Sequence, residues 1–245
     1  MSDQSPPTSK RIGLLVPSSN STIEVEFYRA LPSDVTLHVA RCFLTKIEPA
    51  SIARLTEDID REAEYLASAD VDVVVLGATA PSFLRGKGYD QELIARLTKA
   101  SGKPATTTST ALLAALDALG LKKVALSTAF KSEVNDIAIK FLSDNGLEVV
   151  ASSGLGMVDN LQVGRLPPQT AIDAVRAVDN SEAQAVVLAC TNWQSMAVLQ
   201  ELEDELGKPV LSTSQMTLWH ALRLAGYPAG VKGFGSLLAQ SMRLS

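Results

Sequence analysis

The chain of 245 residues has the length of one large domain or two small ones. Its residues are 46% hydrophobic and 20% charged, which suffices for a packed core and excludes an intrinsically disordered protein. The net charge of -5, from 22 Lys and Arg against 27 Asp and Glu, argues against a nucleic-acid-binding protein, since such proteins are usually basic.

The start of the chain and the cysteine count indicate the compartment. Residues 1–10 are polar and lack the apolar segment of a signal peptide, and no apolar run approaches the ~18 residues of a membrane span. The two cysteines form no disulfide framework, and the two histidines show no metal-ligand spacing. We therefore expect a soluble cytoplasmic protein without a metal site and without membrane or nucleic-acid partners.

Short apolar runs alternate with longer amphipathic stretches along the chain. The predicted strands are, in order, Ile12–Val16, Thr36–Cys42, Val71–Leu76, Lys123–Ser127, Leu147–Ser152 and Ala185–Ala189. The predicted helices are Ile52–Ala67, Gln91–Lys99, Val134–Asn145, Thr170–Val178 and Ser195–Leu206. Val- and Leu-rich strands separated by helices are typical of parallel sheets covered on both faces, so the sequence predicts an α/β fold. No strand precedes a glycine-rich phosphate-binding motif, so the usual dinucleotide and nucleotide sites are not expected.

The chain also resembles itself. Lys10–Leu15 matches Lys122–Ser127, and Val74–Thr79 matches Val186–Thr191; both offsets are 112 residues (10 to 122, and 78 to 190). A third match, of residues 102–104 with residues 207–209, has an offset of 105. Strands rich in valine can look alike by chance, but three matches in the same order indicate two pseudo-symmetric, Rossmann-like halves.

The repeat predicts a domain organisation and a place for the site. We expect one half over residues 1–105, a second over 106–212, and a C-terminal segment, 213–245, that packs back on the first. Ligands of parallel sheets bind beyond the carboxyl ends of the strands. If the halves face each other, the turns after equivalent strands line one cleft, with Ala78 and Cys190 on opposite walls.

Cys190 is the main candidate for chemistry. It follows an apolar strand and precedes a polar turn and a helix, a position in which a thiol can act as acid or nucleophile. A buried structural thiol is the alternative, since free cysteines are often buried. Cys42 lies within a strand without a polar turn, and we interpret it as a core residue.

Hydroxyl-rich turns after the strands could hold a carboxylate. One contains Ser18, Asn20 and their neighbours, and another contains Thr79. Such turns leave main-chain donors unpaired. Helix capping is the alternative, because Ser21 and Glu24 have the spacing of a capping box. Five aromatic or apolar side chains could shape a pocket or belong to the core: Phe43, Phe83, Phe130, Met157 and Trp193.

Several segments resemble two known enzyme families. Gly13–Glu24 and Val158–Gly164 resemble maleate cis-trans isomerases. The segments that resemble arylmalonate decarboxylase are Ser82–Gly86, Thr107–Leu113, Leu126–Phe130 and Gly207–Gly226. Both families belong to the aspartate/glutamate racemase superfamily, and the resemblance spans nearly the whole chain. It implies two pseudo-symmetric α/β halves, no cofactor, one cysteine position on each half, and a monomer or homodimer.

Two departures bear on the activity. Racemases and maleate isomerases carry both cysteines, whereas this chain has Ala78 at the first position; arylmalonate decarboxylase has a small residue there too. The families' tyrosine appears here as Phe130. The resemblance implies that Cys190 is catalytic and that seven residues bind substrate: Ser18, Asn20, Ala78, Thr79, Phe130, Asn160 and Thr191. Ala78 could be natural or an engineered replacement of cysteine.

These observations favour a cofactor-free decarboxylase that acts on a small dicarboxylic acid. Two-base racemisation needs a proton-exchanging group on each face, which alanine cannot supply. Decarboxylation needs one proton donor, for which the Cys190 thiol should be protonated. The alternatives are a maleate cis-trans isomerase or racemase, and a carboxylate-binding protein without activity.

Overall fold

The computed structural model describes residues 9–240. The prediction that the chain lacks a signal peptide concerns mostly residues 1–8, which lie outside the described residues. The strands are β1 (Lys10–Pro17), β2 (Val35–Cys42), β3 (Val73–Leu76), β4 (Ala105–Thr107), β5 (Lys123–Phe130), β6 (Glu148–Met157), β7 (Ala185–Ala189) and β8 (Val210–Ser212). They form two four-stranded parallel sheets, with the orders β2-β1-β3-β4 and β6-β5-β7-β8. The predicted α/β fold with two pseudo-symmetric halves is confirmed.

Helices connect the strands in both sheets. They are α1 (Ile23–Ala30), α2 (Pro49–Leu55), α3 (Ile59–Ser68), α4 (Thr79–Phe83), α5 (Tyr89–Ser101), α6 (Thr108–Ala118), α7 (Ser132–Asp144), α8 (Asn160–Gly164), α9 (Pro168–Val178), α10 (Leu199–Leu206), α11 (Thr213–Leu224) and α12 (Ser236–Ala239). A 3₁₀ turn, Met196–Val198, precedes α10. Within residues 9–240, none of these helices combines the length and apolar character that crossing a bilayer requires.

The core lies around the inner strands of each sheet. Every residue of β3 and of β7 is buried, whereas the edge strands β2 and β6 alternate or are largely exposed. This difference explains why β3 and β7 read as continuous apolar runs. After β3, Gly77 allows a close approach, because a Cβ atom there would lie 2.7 Å from Leu14 Cδ1. The end of β3 can therefore pack directly against β1, and the Gly77 amide donates to the Leu15 carbonyl (2.8 Å).

The structure differs from the predicted elements in three places. The predicted helix Ile52–Ala67 is two helices, α2 and α3, because the chain turns at Thr56, whose hydroxyl donates to the Ala53 carbonyl. The start of the predicted helix Ser195–Leu206 is the 3₁₀ turn. The short strands β4 and β8 were not predicted, although both directly follow the Gly-Lys-Pro repeat.

Helices α6 and α11 follow the equivalent strands β4 and β8, and they pack against each other. Thr107 caps α6 by accepting from the Thr110 amide, and Ser212 caps α11 by accepting from the Gln215 amide. Helix α11 also contacts β3 and β4. The division of the chain at residues 105 and 212 stays a prediction.

Candidate active site

A small cavity lies at the carboxyl ends of the strands, between the two sheets. Its free volume is about 30 Å³. The residues that line it are Pro17, Asn20, Leu44, Ile47, Ile52, Ala78, Thr79, Ala80, Pro81, Phe130, Asn160, Cys190 and Thr191. They follow β1, β2, β3, β6 and β7 or end β5, so the two halves enclose the cavity together.

The structure brings most of the predicted site residues together. Seven of the eight line this cavity: Asn20, Ala78, Thr79, Phe130, Asn160, Cys190 and Thr191. Ser18 is not among the lining residues, because its hydroxyl bonds the main chain of Leu44, donating to the carbonyl (3.3 Å) and accepting from the amide (3.0 Å). Ser18 thus fixes the segment after β2, and the roles of the other seven stay predictions.

Cys190 is the first residue after β7 and is 6% exposed. The pKa of its thiol is raised to about 12, chiefly because the thiol is buried. The main-chain amides of Asn192 and Trp193 lower this pKa, whereas the Glu26 carboxylate raises it. A thiol with this pKa is protonated at neutral pH. Such a group suits proton donation better than nucleophilic attack.

Hydrogen bonds around Cys190 join the two halves. The Thr191 hydroxyl donates to the Gly77 carbonyl (3.1 Å) and accepts from the Asn20 side-chain amide (3.2 Å). The Thr22 hydroxyl donates to the Asn192 carbonyl (2.9 Å). These bonds fix the Cys190 turn against the ends of β1 and β3, so the thiol has a defined position relative to Ala78.

Asn20 caps helix α1. Its side-chain oxygen accepts from the amides of Thr22 (3.0 Å) and Ile23 (3.1 Å). The predicted capping box of Ser21 and Glu24 is wrong, because Glu24 pairs instead with Arg41. The Asn20 side chain therefore orders α1 and the Cys190 turn together, and its second side-chain N–H remains for a ligand.

The cavity wall is largely apolar. In residues 9–240, no charged side chain lines it. Ala78 lines the cavity from the first sheet, and Phe130 lines it from the second sheet. The Phe130 ring packs against Phe83, with the ring centroids 6.3 Å apart. Of the five aromatic or apolar candidates, only Phe130 lines the cavity; Phe43, for example, is 53% exposed and Trp193 is fully buried. An anion in this cavity would meet neutral polar groups and hydrocarbon, and no cation.

Two loops close over the cavity through main-chain bonds. The Ile47 amide donates to the Val158 carbonyl (2.8 Å), and the Asn160 amide donates to the Thr45 carbonyl (3.1 Å). Lys46 and Asp159 form the antiparallel bridge between them. We call this pair of loops, residues 43–47 and 157–160, the clasp. It carries Leu44, Ile47 and Asn160 into the lining, and sequence analysis missed the first two of them.

Glu26 is a further residue that sequence analysis missed. It lies on the buried face of α1, with Ile23, Phe27 and Ala30. Its Oε1 accepts from the amides of Ser195 and Met196, both at 2.7 Å, in the turn that follows Cys190. Burial raises the pKa of this carboxyl to about 7. The helical spacing of residues 23, 26, 27 and 30 is the signal that could have revealed its burial.

The other candidate groups lie elsewhere. His220 bonds Thr106 (Nδ1 to Oγ1, 2.8 Å) and His38 bonds Thr36 (Nε2 to Oγ1, 3.1 Å), both away from the cavity. Over the described range 9–240, no group of three or more His, Cys, Asp or Glu side chains is placed to hold a metal ion. Cys42 is buried in the core, as predicted.

Comparison with known proteins shows similarity along almost the whole chain. A family model described as arylmalonate decarboxylase matches residues 12–238. A maleate isomerase from Geobacillus stearothermophilus is 32% identical over 94% of this chain and 97% of its own. Arylmalonate decarboxylase from Bordetella bronchiseptica is 32% identical over 98% of this chain and 100% of its own. The crystal structure of a cysteine-to-alanine maleate isomerase from Pseudomonas putida S16 with maleate has a TM-score of 0.91 and 27% identity, covering 96% of this chain and 99% of that one.

Proposed function

The chain belongs to the arylmalonate decarboxylase family, and on that premise we propose that it removes CO2 from a small dicarboxylic acid of the malonate type without a cofactor. The observation that supports this most is the asymmetry of the cavity. Cys190 lines it from one sheet and Ala78 from the other. One proton donor and an inert methyl group meet the needs of a decarboxylase and not those of a two-base enzyme.

The lining offers different surroundings to the two carboxylates of a malonate. The second side-chain N–H groups of Asn20 and Asn160 can donate to the carboxylate that stays. The Thr79 hydroxyl, which donates to the Thr213 hydroxyl (3.3 Å), can join them when it turns toward the substrate. Leu44, Ile47 and the other apolar residues surround the carboxylate that leaves. Since this wall offers no cation, the second carboxylate loses its hydration without compensation, and its loss as CO2 relieves that cost.

The proposed reaction has two steps. In the first, the bond between the α-carbon and the leaving carboxylate breaks, and its electron pair delocalises into the remaining carboxylate as an enediolate. Donors to that oxyanion contribute about 2.7–4 kcal/mol each in comparable sites. In the second step, the Cys190 thiol gives its proton to the α-carbon, and the thiolate regains a proton from solvent.

The protonation state of Cys190 favours this reaction over isomerisation of maleate. Addition to a double bond requires a thiolate, whereas the pKa of Cys190 is raised to about 12 and Ala78 offers no sulfur. The identity to maleate isomerases keeps isomerisation as the second candidate function. In that case, replacing Ala78 by cysteine restores the missing nucleophile.

Two parallel incubations test the proposal. Phenylmalonate is incubated with the protein in D2O, and NMR follows its conversion to phenylacetate with one deuterium at the α-carbon. Maleate is incubated in the same way and followed for fumarate. Consumption of phenylmalonate, abolished in Cys190→Ala, is expected. Formation of fumarate without decarboxylation, or turnover of neither substrate nor of smaller alkylmalonates, would overturn the proposal.

We also propose a cytoplasmic location, as the sequence predicts, and a monomer or homodimer, as the family resemblance implies. Cell fractionation tests the first. Light scattering of the purified chain tests the second, and a mass above that of a dimer would contradict it.

A further inference from the structure

A buried acid joins the first half of the molecule to the turn that carries Cys190. Glu26 is 6% exposed and, through Oε1, holds the amides of Ser195 and Met196. In the same turn, the Trp193 amide donates to the Cys190 carbonyl (3.2 Å). One short segment of main chain, residues 190–196, therefore carries the thiol and holds the carboxyl.

The Glu26 carboxyl is only half satisfied. Within residues 9–240, Oε2 has no hydrogen-bond partner by distance and angle, although the nearby Ser214 hydroxyl lowers the pKa of the acid. No Lys, Arg or His of the described chain lies within ion-pair distance of it. A buried charge without a partner acts over a longer range than a surface charge, because little solvent screens it.

A second cavity, of about 180 Å³, gives this acid access to protons. Glu26 and Arg29 are the charged residues among those lining it, and its other walls come from the start of α9, the turn Gln194–Val198 and Phe234. Arg29 lowers the pKa of Glu26 by its charge, and the Glu26 charge in turn raises the pKa of the Cys190 thiol. The charged and titratable groups that interact with Glu26 are thus Arg29 on its own helix and Cys190 in the turn that Glu26 holds.

We propose that Glu26 is a positioning residue for Cys190: it holds the thiol's turn, and its negative charge keeps the thiol protonated as the pH rises. The inference rests on the proposed function, in which Cys190 donates a proton. It predicts that the two groups titrate as a coupled pair. The acid ionises near neutral pH, since its pKa is raised to about 7, and the thiol then becomes harder to ionise.

Alkylation of Cys190 by iodoacetamide tests the coupling without any substrate. The thiolate is the reactive form, so the rate rises tenfold per pH unit for an isolated thiol well below its pKa. In the wild type, we expect the plot of log rate against pH to flatten between about pH 6 and 8, as Glu26 ionises. In Glu26→Gln, which keeps an oxygen acceptor, we expect unit slope throughout and, above pH 8, a rate roughly threefold or more faster.

Two controls separate charge from loosening of the structure. Cys42 serves as an internal reference, because its pKa is shifted by burial and by Glu62 and Asp58, not by Glu26. Peptide mass spectrometry measures both cysteines in one sample, and Cys42 should react equally in both variants. Glu24→Gln removes a charge from the same helix outside the cavity and should leave the flattening in place.

The wild-type plot decides the proposal even if Glu26→Gln fails to fold. A single unit slope for Cys190 from pH 5 to 9 would overturn it. Flattening that persists in a folded Glu26→Gln protein would do the same. Failure of the phenylmalonate assay would leave the alkylation result unchanged, so the coupling and the proposed reaction fail separately.

Discussion

The wall of the cavity that follows β3 ends in the methyl group of Ala78, whereas the wall that follows β7 ends in the thiol of Cys190. Both strands occupy the same place in their sheets, pair with the same kinds of neighbours and are fully buried. The frame is therefore the same on both sides, while only one side carries a thiol. Symmetry of the fold does not require symmetry of the reaction.

Removal of the thiol should have the largest effect. We expect Cys190→Ala to lower kcat for decarboxylation by about 10²–10⁴-fold, which is the typical contribution of a positioned proton donor. Steady-state assays on phenylmalonate measure the loss. Cys42→Ala is the matched control, since Cys42 lies in the core, and it should lose stability while keeping kcat within a few-fold. Full activity of Cys190→Ala would contradict the assignment.

Addition of a thiol to the other wall should change the stereochemical outcome. We expect Ala78→Cys to place a second proton donor on the opposite side, so that a product formed as one enantiomer becomes a mixture. Chiral chromatography of the acid formed from methylphenylmalonate measures this. Ala78→Ser is the control of similar size, because its hydroxyl is too weak an acid to protonate the enediolate. An unchanged enantiomer ratio in Ala78→Cys would show that the two walls do not face one reacting carbon.

The bonds between the two walls should contribute a measurable part of the stability. In Thr191→Val, the Gly77 carbonyl and an Asn20 N–H lose their partner at nearly constant volume. We expect the free energy of unfolding to fall by about 1–3 kcal/mol, the cost of unpaired buried polar groups. Urea titration measures it, with Thr191→Ser as the control that keeps the hydroxyl. Equal stability of the two variants would exclude a role for these bonds.

The free energy of unfolding should depend slightly on pH through His220, which lies on α11 and bonds Thr106 of the first sheet. Burial lowers the pKa of His220 to about 4, below the value of about 6.5 expected for the unfolded chain. Between these values the unfolded state binds the proton more readily, so stability is lost as the pH falls. We expect the wild type to lose about 1–2 kcal/mol more than His220→Gln between pH 7 and pH 5.

The difference between the wild type and His220→Gln reports the contribution of His220 to the pH dependence of stability, separately from that of Glu26. The pKa of Glu26 is raised on folding, so its contribution to stability grows as the pH falls through 7 toward 4.5 and has the opposite sign. Both variants keep Glu26, and its effect cancels in the comparison. Urea titrations at the two pH values provide the measurement, and parallel losses would contradict the prediction for His220.

The internal repeat allowed the two similar parallel sheets to be predicted from the sequence. The offset of 112 residues relates β1 to β5 and β3 to β7, and the offset of 105 relates β4 to β8. The family resemblance was confirmed as well. The strands β4 and β8 have three residues each, which is too short for a periodic pattern. The break between α2 and α3 depends on contacts of Thr56 with Tyr89 and Arg96, which the local sequence does not reveal.

Part of the candidate site could also be predicted, because strands β3 and β7, which lead into it, were predicted from the sequence. Residues that directly follow strands, such as Thr79 and Cys190, could be placed at the carboxyl edge from topology alone. Leu44 and Ile47 reach the cavity because the clasp folds over it, and the six-residue loop between β2 and α2 carries no periodicity that predicts such a path. Helical spacing places Glu26 on the buried face of α1, but the amides that its carboxyl holds lie in a turn 169 residues away, which the local sequence does not reveal.

The clasp has a consequence for how the cavity can be varied. The bonds that join its two loops run between main-chain carbonyl and amide groups of Thr45, Ile47, Val158 and Asn160, so these bonds do not depend on which side chains the loops carry. Side chains attach the loops to the rest of the molecule, since Asn160 Nδ2 donates to the Ser19 hydroxyl (2.8 Å). A substitution at Leu44 or Ile47 therefore changes the shape of the cavity while the main-chain bonds of the clasp remain.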